Sequence, residues 1–306
     1  MKKIGIIGAG QVGATLAFLT LLKKLADIAL IDIQDGLAEG KALDMAQAGA
    51  LLGFESSITG SSDFSDLEGC AITIITAGLA RRPGMDRLDL LRKNADIVSS
   101  VVENIVKYAP ESIIILVTNP LDVMTWLAHK KSGFPASRVM GQAGVLDSAR
   151  FRYFISEKAD VPPRAVSTFV LGGHGDTMVP LISHTMVSGR PVTEKIPPEE
   201  IENLVRRTRD GGAEIVSLLK TGSAYYAPAA STLAMAEAIL NDSGAVMPVS
   251  AFLNGEYGLS GICIGVPASL GKGGIKNIIE TEITPEEKNM LRRSAEIYKK
   301  SIDEII

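Results

Sequence analysis

The sequence predicts an α/β protein in which a doubly wound parallel sheet is followed by a smaller α+β domain. In the first half, short runs rich in Ile and Val alternate with helical patterns, and strands that are apolar on both faces belong to buried parallel sheets. A glycine motif joins the first strand to the first helix. In the second half the regular alternation ends, and long helices mix with alternating strands. We expect residues 1–143 to form the first domain and residues 144–306 the second.

The first half is expected to alternate four strands with four helices. The strands are predicted at residues 3–7, 28–33, 71–76 and 113–117, with a short fifth at 138–141, and the helices at 12–25, 37–50, 88–108 and 121–131. Right-handed crossovers between parallel strands then place helices on both faces of the sheet.

The second half is expected to open with a helix at residues 145–159. Strands are predicted at 165–171, 179–187, 245–253 and 261–266, and helices at 198–220, 228–240 and 285–305. Neither a low-complexity linker nor an internal repeat separates the two halves, so the boundary is placed near residues 141–144.

Composition argues against several classes of protein. The 306 residues are 46% hydrophobic, yet no apolar run approaches the roughly 18–20 residues that a membrane span requires. The N-terminus enters a strand without the apolar core of a secretory signal, and two distant cysteines in apolar strands favour reduced thiols and a cytoplasmic protein. With a net charge of −4, scattered basic doublets and 5% aromatics, the chain is not expected to bind nucleic acid. The high share of hydrophobic residues favours a protein that buries part of its surface in subunit interfaces.

The glycine motif reads Gly8-Ala-Gly-Gln-Val-Gly13 and directly follows the first strand. Gly8 permits a tight turn, Gly10 lets the backbone approach a pyrophosphate at the helix N-terminus, and Gly13 lets the helix pack on the strand. This context predicts a dinucleotide site of the Rossmann type that includes Gln11 and Val12. A tight turn without a ligand is the alternative.

Asp32 ends the next predicted strand about 20 residues after the motif, where an acidic residue binds the adenosine ribose. Its carboxylate accepts hydrogen bonds from both ribose hydroxyls of NAD and would repel the 2′-phosphate of NADP. The following residues contain no arginine to receive that phosphate, so NAD is the predicted cofactor. Val117 and Asn119 end another strand at the edge where such sheets bind ligands, while Thr118 is a candidate for hydrogen bonding to the backbone alone.

His174 is the candidate general base among three histidines because it stands between glycines just past an apolar strand. His129 is expected at a solvated helix end, and His184 in a strand with a packing role. A carboxylate partner would hold the imidazole in one tautomer. Asp147 is the preferred partner, and Asp176, two residues from His174, stays open as the alternative.

Three arginines complete the predicted set. Arg150 lies three residues after Asp147, so both occupy one face of a helix, and its planar fork suits a carboxylate. An ordinary surface ion pair is the alternative for this pair. Arg81 and Arg87 flank Pro83-Gly84 in a loop, where a lid closing over an anion would explain two cations.

These motifs resemble the lactate/malate dehydrogenase family over nearly the whole chain. The matching segments are Gly8-Ala-Gly-Gln-Val-Gly13, Ala77-Gly78, Arg81-Arg82-Pro83-Gly84-Met85-Asp86-Arg87, Asn119-Pro120, Leu146-Asp147-Ser148-Ala149-Arg150, Gly173-His174-Gly175-Asp176 and Thr221-Gly222-Ser223-Ala224-Tyr225-Tyr226. The nearest likeness is to the lactate-dehydrogenase-like malate enzymes of bacteria and archaea. One departure is Asp86, a position where a small polar residue is usual in malate enzymes.

The resemblance implies a role for each matching residue. His174 would accept the proton with Asp147 as its partner, and Arg150 would bind the carboxylate beside the reacting carbon. Arg87 would polarise the carbonyl oxygen, and Asn119 would contact both substrate and cofactor. A further cofactor contact is implied for Asn94, and a homodimer or homotetramer for the assembly.

The substrate depends on Arg81, which stands where lactate enzymes of the family carry an uncharged glutamine. A cation there pairs with the second carboxylate of oxaloacetate, whereas the methyl group of pyruvate would leave it unpaired. The expected activity is the reversible NAD-dependent oxidation of (S)-malate to oxaloacetate, with no metal. Another 2-hydroxyacid dehydrogenase and an NAD sensor without turnover are the competing hypotheses.

Overall fold

The computed structural model describes residues 2–79 and 87–305, with only the backbone at Arg87. In the first half, six strands are joined by four helices. The strands are β1 (Lys3–Ile7), β2 (Asp27–Ile31), β3 (Ile58–Ser61), β4 (Cys70–Ile75), β5 (Ile113–Leu116) and β6 (Val139–Gly141), and the helices are α1 (Gln11–Leu22), α2 (Leu37–Leu52), α3 (Arg87–Tyr108) and α4 (Leu121–Ser132).

All six strands are parallel and lie in the order β3-β2-β1-β4-β5-β6. The chain therefore winds outward in one direction from β1 and in the other from β4, which creates a crevice at the carboxyl ends of these two strands. Strand residues such as Ile4, Ile6 and Ile74 are fully buried because helices cover both faces. The predicted doubly wound sheet is confirmed.

The second half contains four helices and eight strands within the described residues. They are α5 (Gly144–Ala159), β7 (Val166–Ser167), β8 (Val170–Gly172), β9 (Met178–Pro180), β10 (Met186–Val187), β11 (Arg190–Pro191), α6 (Pro198–Leu219), α7 (Tyr226–Leu240), β12 (Val246–Asn254), β13 (Ser260–Gly271), β14 (Gly274–Ile278) and α8 (Pro285–Asp303). A capping box at Thr284 and Glu287 fixes the start of α8.

The large sheet continues from the first half into the second. Strand β12 pairs antiparallel with β6, with Ser250 opposite Gly141, and is followed in the sheet by β13, β8 and β9. The loop between β8 and β9 is thereby held beside the carboxyl ends of the parallel strands. His174 in this loop bonds to Asp122 at the start of α4, which follows the carboxyl end of β5.

Several predicted strands differ from the structure. The strand at 28–33 ends at Ile31, because the Asp32 carboxylate accepts the Gln34 N–H and turns the chain. Residues 165–171 split into β7 and β8 in different sheets, and 179–187 splits into β9, a 3-10 turn at Ile182–His184 and β10. Strands β3 and β14 were not predicted, since their sequences lack the Ile- and Val-rich pattern. In the described part of the chain, no helix is both long and apolar enough to cross a membrane.

Candidate active site

The glycine motif forms a tight loop at the carboxyl end of β1. Gly8 has a φ of +106°, and its N–H donates to the Ile31 carbonyl at 2.8 Å. A Cβ at Gly13 would lie 1.9 Å from the Gly8 carbonyl oxygen, so only glycine allows α1 to approach β1 this closely. At Gly10, by contrast, a Cβ would meet no described atom within 4 Å. The loop is closed toward the sheet and open toward the crevice, as a pyrophosphate site requires.

Asp32 lies beside this loop, at the end of β2. Its Oδ2 accepts the Ala9 N–H at 2.6 Å, and its Oδ1 accepts the Gln34 N–H at 2.9 Å. The carboxylate is partly exposed at the mouth of the crevice, where the ribose was predicted to bind. The structure therefore brings Asp32 and the glycine motif together.

Asn94 links two loops at the carboxyl edge of the sheet. Its Oδ1 accepts the Leu79 N–H at 2.7 Å, and its Nδ2 donates to the Asn119 carbonyl at 2.8 Å. Because the side chain is 1% exposed, its amide positions the crevice edge through the backbone. Thr118 bonds to the Ala77 carbonyl at 2.7 Å, in line with its predicted backbone role. Val117 is half-buried and Asn119 exposed on the same edge.

His174 and Asp147 meet although they are 27 residues apart. The His174 Nδ1 lies 2.8 Å from the Asp147 Oδ2, and the two side chains are 16% and 2% exposed. Asp176 is exposed, so the carboxylate at the ring is that of Asp147. Helix α5 carries Asp147 in its first turn, and the loop after β8 carries His174.

Arg150 lies one turn further along α5, with its Nη1 3.5 Å from the Asp147 Oδ1. Its side chain is 14% exposed, and its buried Nε has no hydrogen-bond partner among the described residues. Room for the guanidinium comes from α6, where a Cβ at Gly211 would lie 3.3 Å from the Arg150 Cδ. Burial lowers the pKa of Arg150, while Asp147 opposes that shift. A buried donor without a partner fits a site that binds a carboxylate.

The backbone around His174 is held from two sides. The His174 N–H donates to the Asp122 Oδ2 at 2.8 Å, and its carbonyl accepts the Tyr298 hydroxyl at 3.0 Å. The neighbouring Gly173 N–H donates to the Ser294 Oγ at 2.9 Å. Helices α4 and α8 thus fix the direction of the loop that carries the imidazole.

Asp122 is a functional candidate that the sequence reasoning missed. It is fully buried in the first turn of α4, and its Oδ1 accepts the Ser250 hydroxyl at 2.7 Å. Burial raises the pKa of Asp122 to about 6, against the opposing effect of its hydrogen bonds. A lone acidic residue in the apolar run after Asn119-Pro120 was the signal that could have drawn attention to it.

The acid–base behaviour of His174 follows from these contacts. Burial alone would lower the pKa of His174, but the charge and hydrogen bond of Asp147, aided by Asp122, outweigh burial and raise it. Arg150 opposes the rise. The imidazole is therefore a stronger base than a free histidine side chain, which suits a general base.

The side chains of two predicted site residues, Arg81 and Arg87, are outside the described part of the structure. Arg81 is outside the described residues, as is the rest of the predicted lid up to and including Asp86. Arg87 marks the start of α3, and its side chain is not described. Their predicted roles stay predictions.

The other two histidines lie away from this cluster. His129 is half-buried rather than solvated, with its ring centroid 4.5 Å from that of Phe252, and burial lowers its pKa. The expected helix end exists, but it packs against β12. His184 stands in the 3-10 turn instead of a strand, with its Nδ1 2.9 Å from the Ser183 Oγ. Among the described residues, no group of three His, Cys, Asp or Glu side chains could hold a metal.

Comparison with known protein families matches both halves of the chain. Residues 2–141 match "lactate/malate dehydrogenase, NAD binding domain", and residues 144–306 match "lactate/malate dehydrogenase, alpha/beta C-terminal domain". The first of these ranges contains the glycine loop and Asp32. The second contains Asp147, Arg150 and His174.

Individual relatives are similar over nearly their full lengths. The malate dehydrogenase of Bacillus subtilis (strain 168) is 52% identical over 300 residues, which cover 97% of this chain and 96% of the relative. The crystal structure of Cryptosporidium parvum malate dehydrogenase has a TM-score of 0.97 and 44% identity, covering 99% of this chain and 98% of the other. A lactate dehydrogenase from the same organism, complexed with lactic acid and NAD, has a TM-score of 0.96 and 43% identity, with the same coverage.

Proposed function

Because the chain belongs to the lactate/malate dehydrogenase family, we propose that it is an NAD-dependent malate dehydrogenase that interconverts (S)-malate and oxaloacetate. The observation that carries the proposal is the cluster of His174, Asp147 and Arg150. It combines a base held at 2.8 Å by a buried carboxylate with a guanidinium Nε that has no partner among the described residues.

His174 is the proposed acid–base group. With its Nδ1 bonded to Asp147, the proton of the neutral imidazole sits on Nδ1 and the Nε2 lone pair is available to accept a proton. In malate oxidation the Nε2 takes the proton of the C2 hydroxyl, and Asp147 stabilises the imidazolium that forms. In oxaloacetate reduction the same nitrogen returns the proton to the carbonyl oxygen.

Arg150 is proposed to bind the carboxylate beside the reacting carbon. A guanidinium binds a carboxylate through two parallel hydrogen bonds, which fixes the orientation of C2 relative to His174. Arg87 and Asn119 are proposed to contact the reacting oxygen. When NAD is bound, its nicotinamide accepts the hydride from C2 of malate.

The cofactor is proposed to lie along the crevice edge. Gly8, Gly10 and Gly13, with Gln11 and Val12, would hold the pyrophosphate at the start of α1, and the Asp32 carboxylate would bind the adenosine ribose. Val117 and Asn119 are proposed to border the nicotinamide half. Asn94, for which a direct cofactor contact was expected, would instead hold the backbone of that edge through its bonds to Leu79 and Asn119.

Preference for malate over lactate is proposed to rest on Arg81. Overall similarity does not decide the point, since both a malate and a lactate enzyme resemble this chain at similar identity. The relatives from Bacillus pumilus and Bacillus subtilis, at 51% and 52% identity, are malate dehydrogenases. A guanidinium at position 81 pairs with the second carboxylate of oxaloacetate and is left desolvated and unpaired by the methyl group of pyruvate.

Comparing oxaloacetate and pyruvate turnover with NADH tests this proposal. We expect kcat/KM for oxaloacetate to exceed that for pyruvate at least about a hundredfold, because an unpaired buried charge strongly disfavours the wrong substrate. The Arg81→Gln variant should lose oxaloacetate activity and relatively favour pyruvate. Comparable rates for the two substrates in the wild-type enzyme would refute the role given to Arg81.

The assembly is proposed to be a cytoplasmic homodimer or homotetramer. Helix α2 exposes Leu43, Leu51 and Leu52, which a lone chain would leave in water. Both cysteines, Cys70 and Cys263, are buried and unpaired, in keeping with a reducing compartment. Sedimentation equilibrium would give the mass, and a monomer at micromolar concentration would contradict the assembly.

A further inference from the structure

Two charged side chains hold Ala9, the residue between Gly8 and Gly10 of the glycine loop. Asp32 accepts the Ala9 N–H at 2.6 Å, as described above. On the other side of the residue, the Lys41 Nζ donates to the Ala9 carbonyl at 2.6 Å. Lys41 lies in the second turn of α2 and is half-buried, so its ammonium group is held against the loop instead of extending into solvent.

The carbonyl that Lys41 binds belongs to the peptide group that also contains the Gly10 N–H. This peptide is trans, so its C=O and N–H point in opposite directions. By binding the oxygen from one side, Lys41 directs the Gly10 N–H to the other. Within the described residues the Gly10 N–H has no acceptor, and Gly10 is exposed with open space beside it.

The bond to a cation also changes the strength of this donor. Hydrogen bonds in a chain polarise one another, and an ammonium group on the carbonyl makes the N–H of the same peptide a better donor. An N–H oriented and strengthened in this way suits an anion, and the position before the first turn of α1 is where a pyrophosphate is favoured.

We propose that Lys41 is a positioning residue for the cofactor, which acts through the Ala9–Gly10 peptide on the pyrophosphate. The inference rests on the proposed use of NAD and adds a residue that the glycine motif does not contain. Asp32 holds the opposite side of Ala9, so the two side chains together fix the loop before the cofactor arrives. Preorganisation of this kind improves affinity, because the loop loses less freedom on binding.

A purely structural role for Lys41, in which it only holds the glycine loop against α2, predicts different effects on ligand affinity. If Lys41 only kept the loop folded, its loss would weaken every ligand that uses the crevice, including those bound by Asp32 alone. If it acts on the pyrophosphate, ligands with a pyrophosphate should lose affinity and adenosine should not. Comparing such fragments therefore separates the two roles.

The experiment measures the Kd of NADH by fluorescence, and those of ADP-ribose and adenosine by competition against NADH. For Lys41→Met we expect Kd to rise about tenfold for NADH and ADP-ribose, equivalent to about 1.4 kcal/mol, and to stay unchanged for adenosine. Lys41→Arg keeps a cationic donor and should retain most of the affinity. Lys41→Gln keeps a donor without the charge and provides a second test should the Met variant fold poorly. Its Kd should rise less than in Lys41→Met for NADH and ADP-ribose, and should again stay unchanged for adenosine.

Lys23→Met is the matched control, because the Lys23 ammonium group also has a partner at 2.6 Å, the Glu237 carboxylate, but lies on the surface at the far end of α1. Its NADH affinity should equal that of the wild type. An unchanged NADH affinity in Lys41→Met, or an equal loss for adenosine, would overturn the proposal. Since these measurements involve no 2-oxo acid, their outcome is independent of whether the enzyme prefers malate.

Discussion

Replacing Asp147 with Asn tests the acid–base pair most closely. The variant keeps the shape of the side chain but removes the charge 2.8 Å from the His174 Nδ1, in a place where both side chains are largely buried. A hydrogen bond to a charged group contributes about 1.5–3 kcal/mol. Because the charge and hydrogen bond of Asp147 are what raise the pKa of His174, their removal should lower it.

The pH dependence of catalysis reports this shift. Malate oxidation requires neutral His174 and rises with pH, whereas oxaloacetate reduction requires protonated His174 and falls with pH. Both limbs of the kcat/KM profiles should move to lower pH in Asp147→Asn. The kcat should also fall by about 10²–10⁴, because the amide no longer selects the productive tautomer or stabilises the imidazolium.

Stability provides a second readout with a defined sign. The pKa of His174 is raised above its ordinary value of 6.5 in the folded protein. Protonation of His174 therefore contributes to the free energy of unfolding. This contribution is fully present below pH 6.5 and is lost as pH rises through the folded-state pKa. Chemical unfolding of the wild type between pH 5.5 and 9 should show this loss, and Asp147→Asn should flatten it.

Asp176→Asn is the control for both readouts. Asp176 was the alternative partner from sequence, but it is exposed. Its replacement should leave the pH limbs in place. If Asp147→Asn folded normally with unshifted limbs, or if Asp176→Asn produced the shift, the assignment of the pair would be wrong.

Two further substitutions test the cofactor loop and the carboxylate site. In Gly13→Ala the new Cβ would lie 1.9 Å from the Gly8 carbonyl oxygen, so thermal stability and NADH affinity should both fall. The control is Gly40→Ala, which has open space in a helix and should be neutral or stabilising. Equal behaviour of the two variants in a thermal melt would contradict the close-packing argument. Arg150→Lys loses the planar fork and should lower kcat/KM for malate about 10–100-fold. The exposed Arg152→Lys on the same helix should show wild-type kinetics, and a wild-type result for Arg150→Lys would exclude a bidentate role.

Much of the fold was predictable because its signals are local. Ile- and Val-rich runs separated by helical patterns predicted the parallel sheet, and the spacing from Gly8 to Asp32 predicted their meeting at the crevice. A base needs a carboxylate partner, which favoured Asp147 for His174 but left Asp176 open, and the family resemblance pointed to Asp147. A site residue can be predicted in this way when the chemistry of the site requires one particular type of side chain.

The remaining features depend on contacts between distant segments. Asp122 resembles any helix N-terminal acid until the fold brings it to the His174 N–H and Ser250. Lys41 looks like a surface lysine, because its partner is a carbonyl that carries no sequence signal. The strand predicted at 165–171 divides because β7 and β8 pair with different sheets, and pairing is decided by tertiary structure.

The crystal structure of a ternary complex with NAD and a non-reactive dicarboxylate is the most direct test of the proposed chemistry. We predict the Arg81 guanidinium within hydrogen-bond distance of the far carboxylate, Arg150 on the near one, and the His174 Nε2 facing C2. A structure in which Arg81 points into bulk solvent while the dicarboxylate is fully bound would contradict the account of substrate choice.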